Sequence, residues 1–168
     1  MSIFNQRTIS KETKFNGVGL HTGQSVELKL IPAEPNTGII FKRVDLLKNN
    51  IVTPNYKNVT DTTLCTTISN DYGVKVSTIE HLMGALYGLG IDNLIVELNS
   101  QELPILDGSA KIFVESILLS GIKVSSTPIK LIKINKNVSY TEGNKSISFG
   151  TSKIASEIDF EINYNNQF

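Results

Sequence analysis

The chain has 168 residues, of which 40% are hydrophobic and 19% are charged, a composition typical of a globular protein. Sixteen basic and sixteen acidic residues give a formal net charge of zero, which argues against a protein that binds nucleic acid through a basic surface. No apolar run reaches the roughly 18 residues of a membrane span, and we expect no signal peptide. The single cysteine, Cys65, cannot form an internal disulfide, so we expect a cytoplasmic protein.

Strands are predicted for the first part of the chain. Residues Ser25–Leu30 alternate between polar and apolar side chains, as in a half-buried strand. A turn-forming cluster at Pro32–Gly38 follows, and Ile39–Phe41 resumes the sheet. The segments Thr63–Ser69 and Lys75–Val76 are predicted to pair as a hairpin around the polar turn between them.

Two helices are predicted next, with an apolar strand between them. The first is ended by Gly88 and Gly90, and the strand is Leu94–Leu98. The second helix follows a cap at Asp107 or Ser109 and stops at Gly121. This order predicts an α+β fold in which helices are layered on a mainly antiparallel sheet. We expect a complete N-terminal domain within residues 1–125.

Residues 126–168 are predicted to begin a second α+β domain. The expected strands are Ile129–Ile132, Lys145–Phe149 and Ile158–Tyr164, and Thr141–Asn144 is the turn between the first two. No helical pattern follows Gly121 that could cover these strands. We therefore expect this second domain to be truncated and to contain strands only.

The first helix carries a carboxylate and an imidazole side by side. Ser77 and Glu80 have the spacing of a capping box, and an apolar stripe follows helical spacing. That stripe consists of Ile79, Leu82, Met83, Leu86 and Leu89. His81 is predicted to be exposed opposite the stripe, beside the small residues Gly84, Ala85 and Gly88, where a ligand or a second protein layer could come close. A neutral imidazole is favoured at a helix N-terminus and can bind metal, although a capping glutamate and a surface histidine explain the same residues.

Five short motifs occur in one order and spacing. They are Gly17–Gly23, Asp61–Thr66, Ser77–Leu82, Gly88–Asn93 and Pro104–Ala110. With these motifs the chain, from about Arg7 onward, resembles the UDP-3-O-acyl-N-acetylglucosamine deacetylase family, the zinc amidases of lipid A biosynthesis. The resemblance implies two domains, each with a β-α-α-β core.

The resemblance also assigns roles to individual residues. Glu80 matches the general base of the family, and His81 matches one of its three zinc ligands. The other two ligands, a His and an Asp, and a general-acid His belong to later motifs, whereas the only histidines here are His21 and His81. The resemblance places His21 near the active site in a supporting role and places Thr62, Leu64 and Cys65 at the substrate entrance; the residues alone favour an ordinary strand position for Cys65.

The implied function is part of a Zn²⁺-dependent deacetylation of a UDP-acyl-aminosugar in the cytoplasm of a Gram-negative bacterium. We expect little or no turnover from this chain alone, a monomer in the complete enzyme, no nucleic-acid partner and at most transient contact with a membrane surface. Two alternatives stay open. One is a non-catalytic binding or assembly module that reuses the domain, and the other is the front part of a fusion between the deacetylase and an acyl-dehydratase.

Overall fold

The computed structural model describes residues 5–152 and 157–163. The chain forms two units, Met1–Ile129 and Lys130–Phe168. In chain order the elements of the first unit are β1 (Asn5–Ile9), β2 (Thr13–Val18), β3 (Ser25–Pro32), β4 (Ile39–Arg43), β5 (Ile51–Val52), a 3₁₀ turn (Tyr56–Asn58), β6 (Val59–Asp61), β7 (Thr67–Ser69), β8 (Lys75–Val76), α1 (Glu80–Leu89), β9 (Leu94–Leu98), α2 (Lys111–Ser120) and β10 (Ile122–Pro128).

A five-stranded sheet with the order β2-β3-β9-β4-β5 forms the centre of this unit. Its strands pair antiparallel except for β4 and β9, which run parallel. The predicted alternation in β3 is confirmed, because Val26, Leu28 and Leu30 are buried while Ser25 and Glu27 are exposed. The sheet is therefore mainly antiparallel, as predicted.

Both helices pack on the apolar face of this sheet. Leu82 and Leu86 of α1 and Ile117 of α2 join the same buried cluster as the inward side chains of the strands. The ring of Phe113 in α2 lies 5.1 Å from that of Phe15 in β2. Burying side chains of this size contributes about 1.5–3 kcal/mol each, so this contact layer is what stabilises the α+β fold.

The start of α1 differs from the prediction. Ile79 precedes the helix and no side chain caps it, so the predicted Ser77–Glu80 capping box is wrong. Ser77 instead lies in an extended segment that pairs with the chain near Glu102, and its N–H donates to the carbonyl of Gln101 at 2.9 Å. This long-range pairing takes up Ser77, and the chain then turns into the helix at Thr78, where φ is +57°.

The start of α2 carries no side-chain cap on Ala110, the residue before the helix. The hydroxyl of Ser109 accepts the N–H of Lys111 at 3.0 Å, and the carboxylate of Asp107 accepts the N–H of Ser109. Both helices end at a glycine with positive φ, Gly90 and Gly121, as predicted, whereas Gly88, also predicted to end the first helix, lies within α1.

A second sheet, β6-β7-β8, lies before α1 in the chain. The predicted hairpin is present as β7 and β8, but β7 begins at Thr67 and not at Thr63. The residues between β6 and β7 are irregular because Leu64 adopts a left-handed conformation, with φ of +62°. This irregular segment contains Thr62, Leu64 and Cys65, the residues predicted to lie at the substrate entrance.

Strand β10 pairs antiparallel with β1. The strand predicted at Ile129–Ile132 is therefore wrong, since the strand ends at Pro128 and the next residues have no regular structure. The carbonyl of Pro128 accepts the side-chain amide of Gln6, which Asn93 also contacts. Partners far away in the sequence thus fix the position of this strand.

The second unit contains a hairpin of β11 (Val138–Glu142) and β12 (Lys145–Phe149), and its turn at Gly143 was predicted. No strand occurs within residues 157–163, so the strand predicted from Ile158 is wrong over that range, because no described strand offers it a partner. Tyr164, its last predicted residue, lies outside the described residues. Over the described part of the chain, neither helix is long and apolar enough to cross a membrane.

Candidate functional site

Glu80 and His81 occupy the first turn of α1, and both are half-buried. One carboxylate oxygen of Glu80, Oε2, accepts the backbone N–H of Thr66 at 3.0 Å. The other oxygen, Oε1, receives no hydrogen bond from the residues that the structure describes, and neither does the imidazole of His81. The arrangement is a carboxylate fixed through one oxygen, with its second oxygen and a neighbouring imidazole available to a ligand.

The segment that Glu80 holds contains the residues predicted to border a substrate entrance. Thr62 and Leu64 are exposed, and Leu64 is 85% exposed. Cys65 is half-buried, with its Sγ 3.7 Å from the hydroxyl of Thr67. The carboxylate of Asp61 accepts the N–H of Thr63 at 2.8 Å, and this bond lowers the pKa of Asp61. The hydrogen bond from the N–H of Thr66 connects this segment to Glu80.

The Gly17–Gly23 loop begins with the last two residues of β2, closes on itself before β3 and contains His21. The N–H of Gly23 donates to the carbonyl of Gly19 at 3.0 Å, and Gly23 has a φ of +64°, which favours glycine. Gly17 lies so close to Pro104 that a Cβ at position 17 would stand 2.8 Å from the Pro104 Cβ. The loop therefore packs tightly against the segment that follows β9.

Glu102 joins this loop to the start of α1. Its side chain is fully buried; Oε1 accepts the N–H of His21 and the hydroxyl of Thr78, both at 3.0 Å. Oε2 accepts the N–H of Thr22 at 2.8 Å and lies 3.2 Å from the N–H of His21. His21 is thus tied to the helix entry through its backbone, while its imidazole forms no hydrogen bond with a described residue.

The environment of Glu102 keeps its carboxyl group ionised at neutral pH. Burial alone would raise the pKa of Glu102. Hydrogen bonds from the backbones of His21 and Thr22 and from the hydroxyls of Thr22 and Thr78 outweigh that effect, so the pKa lies below its ordinary value. Glu102 was not among the predicted site residues; the signal that could have found it is a lone carboxylate between a buried strand and Pro104.

The small residues of α1 do not form one continuous face. Ala85 is 2% exposed and belongs to the core, so its predicted position beside His81 on an open face is wrong. Gly84 and Gly88 face open space, and a Cβ at either position would meet no atom within 4 Å. The predicted close approach of another layer to this face is not made by any residue that the structure describes.

A resident metal ion needs more ligands than the described residues bring together. A catalytic Zn²⁺ takes three protein ligands and keeps one open position. Within residues 5–152 and 157–163, no group of three or more His, Cys, Asp or Glu side chains is placed to hold a metal ion. His81 is a single donor there, and the described residues alone do not fit a resident zinc.

Comparisons with known proteins agree with the motifs. Residues 6–168 match the family model of UDP-3-O-acyl N-acetylglycosamine deacetylase (LpxC). The chain is 44% identical over 160 residues to the UDP-3-O-acyl-N-acetylglucosamine deacetylase of Haemophilus ducreyi. The matched residues make up 95% of this chain and 52% of that relative. The proteins of the same name from Vibrio parahaemolyticus (44% over 160 residues, 95% of this chain) and Teredinibacter turnerae (48% over 159 residues, 93% of this chain) are each also covered over 52% of their length. The chain spans about half the length of the curated relatives it matches.

Proposed function

The chain belongs to the UDP-3-O-acyl N-acetylglycosamine deacetylase family, and on that premise we propose that it carries the general base and one metal ligand of an amidase. The substrate in this proposal is UDP-3-O-acyl-N-acetylglucosamine, the compound in the relatives' name, from which acetate is removed in lipid A biosynthesis. The reaction would take place in the cytoplasm. Its main support is the pair Glu80–His81, in which one carboxylate oxygen and the neighbouring imidazole form no hydrogen bond with the residues that the structure describes.

In this proposal Glu80 takes the proton of the water that attacks the amide carbonyl. A general base must lie within hydrogen-bonding reach of that water, and the unbonded Oε1 is the atom that could reach it. The N–H of Thr66 fixes Oε2 and so limits the rotation of the carboxylate. Orienting the base before the reaction lowers the entropy that must be lost at the transition state.

His81 is proposed as one of three zinc ligands. The other two would come from the half of the relatives that this chain does not match, since the described residues supply too few donors. When bound by three ligands, Zn²⁺ lowers the pKa of a bound water to about 7 and polarises a carbonyl. His21, Thr62, Leu64 and Cys65 are proposed to lie near the substrate, with His21 held by Glu102.

The test uses a chimera in which this chain replaces the matching half of the Haemophilus ducreyi relative, so that the other half comes from the relative. The release of acetate by the chimera and its zinc content are measured. We expect the chimera to release acetate, and we expect Glu80→Gln to lower kcat/KM by about 10²–10⁴-fold, as for the loss of a general base. We expect His81→Ala to remove zinc as well. Glu12→Gln is the matched control, because Glu12 is exposed and its one ion pair within the described part of the chain is with Lys14 at 3.5 Å.

Circular dichroism and size-exclusion chromatography establish that each chimera is folded. A folded chimera that releases no acetate, with the unaltered relative active in the same assay, would contradict the proposed activity. A Glu80→Gln chimera within about threefold of the parent would contradict the role of Glu80, because a general base contributes far more than that.

A further inference from the structure

Among the described residues, Glu102 is the one ionisable residue whose side chain is buried. A buried carboxylate is strongly unfavourable unless hydrogen-bond donors replace the water that it loses. No Lys, Arg or His forms an ion pair with Glu102 within the described ranges, and its donors are the N–H groups of His21 and Thr22 and the hydroxyls of Thr22 and Thr78. The charge is therefore stabilised only when the loop and the helix entry are both in place.

Thr78 is the second half of this connection. It is 3% exposed and has a φ of +57°, a conformation that is unfavourable for a β-branched residue. Its hydroxyl bond to Glu102 and the pairing of Ser77 with Gln101 hold it there. Because Glu80 and His81 follow two and three residues later, the conformation of Thr78 sets the direction in which α1 begins.

We propose that Glu102 is a positioning residue for the Glu80–His81 pair. It binds the Gly17–Gly23 loop on one side and the hydroxyl of Thr78 on the other, so that the loop and the first turn of α1 keep a single arrangement. The catalytic meaning of that arrangement rests on the proposed function, but the coupling itself does not. Among the described residues Glu102 forms no hydrogen bond with Glu80 or His81, and it acts on them through Thr78.

A positioning role and a merely structural role make different predictions. If Glu102 only adds stability, removing its charge lowers the free energy of unfolding of the whole unit. The environment of His81 within the folded state then stays unchanged. If Glu102 positions α1, the environment of His81 changes within the folded state. The readout must therefore be local and must not depend on turnover or on bound metal.

The experiment compares Glu102→Gln with the unaltered chain by NMR. Glu97→Gln is the control, because Glu97 is a half-buried carboxylate paired with Lys42 at 2.9 Å on the other face of the sheet. In Glu102→Gln the amide would present an N–H₂ group to donors, so we expect hydrogen exchange at the His21 and Thr22 amides to accelerate about 10–100-fold. We also expect the Cε1–H resonance of His81 to shift, whereas the control should change neither signal.

Two outcomes would overturn the proposal. One is a change confined to the amides of His21 and Thr22 with the His81 resonance unmoved. The other is an equal acceleration of all protected amides, which would indicate a purely structural role. If Glu102→Gln does not fold, Thr78→Val takes over the test, because it keeps the carboxylate and removes a single donor. An unmoved His81 resonance in folded Thr78→Val would likewise overturn the proposal.

Kinetics of the chimera separate this inference from the proposed function. A positioning residue should lower kcat about 10–100-fold in Glu102→Gln while KM stays within about threefold, since alignment at the reacting centre is lost and substrate binding is kept. An unchanged kcat would overturn the catalytic part of the inference. If instead Glu80→Gln leaves activity intact while His81 moves in Glu102→Gln, the proposed function fails and the coupling stands.

Discussion

Gly19→Ala tests how closely the Gly17–Gly23 loop is fitted to Glu102. Gly19 does not occupy the left-handed region, so alanine can adopt its backbone conformation. A Cβ at this position would collide with Glu102 Oε2 and with the hydroxyl of Thr22. The carboxylate must then move, and at least the bond from the Thr22 N–H at 2.8 Å is lost.

The expected effect is a loss of stability. Each hydrogen bond to a charged group contributes about 1.5–3 kcal/mol, and one or two such bonds are disturbed. The lower chain entropy of alanine in the unfolded state returns about 0.4–1 kcal/mol. We therefore expect the free energy of unfolding to fall by about 3 kcal/mol, within a range of about 0.5–5.5 kcal/mol, a large part of the stability of a domain of this size.

Gly84→Ala is the matched control. Gly84 lies inside α1 and a Cβ there meets open space, so we expect a gain of about 0.5–1 kcal/mol from helix propensity. Urea unfolding followed by far-UV circular dichroism should separate the two midpoints by at least about 1 M. Equal midpoints, or a Gly19→Ala chain more stable than the parent, would refute the steric argument.

Three further outcomes are expected. The pKa of Glu102 is lowered in the folded chain, so the unfolded chain binds the proton more readily. The free energy of unfolding should therefore fall as the pH drops below about 4.3, the ordinary pKa of a glutamate. In an acid titration of stability, Glu102→Gln should show a weaker dependence on pH. Glu80→Gln should leave the backbone N–H of Thr66 protected from hydrogen exchange, because the amide oxygen of glutamine still accepts its hydrogen bond. Glu80→Ala should accelerate that exchange about tenfold or more. Equal exchange rates in the two variants would contradict the hydrogen bond between Thr66 and Glu80. Dialysis of this chain against zinc should retain well below one ion per chain, with or without His81→Ala, and tight stoichiometric zinc would contradict the donor arrangement.

Much of the sheet and both helices could be predicted from the sequence because their signals are local. The alternation around Leu28 and the turn at Gly143 each depend on a few neighbouring residues. Gly90 and Gly121 end the helices because a positive φ costs glycine little. Such features need no knowledge of distant partners.

The missed features all depend on distant partners. Ser77 has the spacing of a capping residue, but its pairing with Gln101 decides its conformation. The apolar residues Ile129–Ile132 suggested a strand, whereas pairing with β1 places the strand at Ile122–Pro128. Glu102 looks like an ordinary polar residue until His21, 81 positions earlier, is brought to it. A spacing pattern contains no information about such encounters.

The pairing of β1 with β10 has a consequence for how the chain is made. Strand β1 is synthesised well before its partner β10, and Gln6 meets its acceptor on Pro128 only after 122 further residues. Contacts this distant in sequence close slowly, since a long loop must be ordered before they form. During synthesis the segment around Ile9, fully buried in the finished fold, is an unpaired edge open to association with other nascent chains.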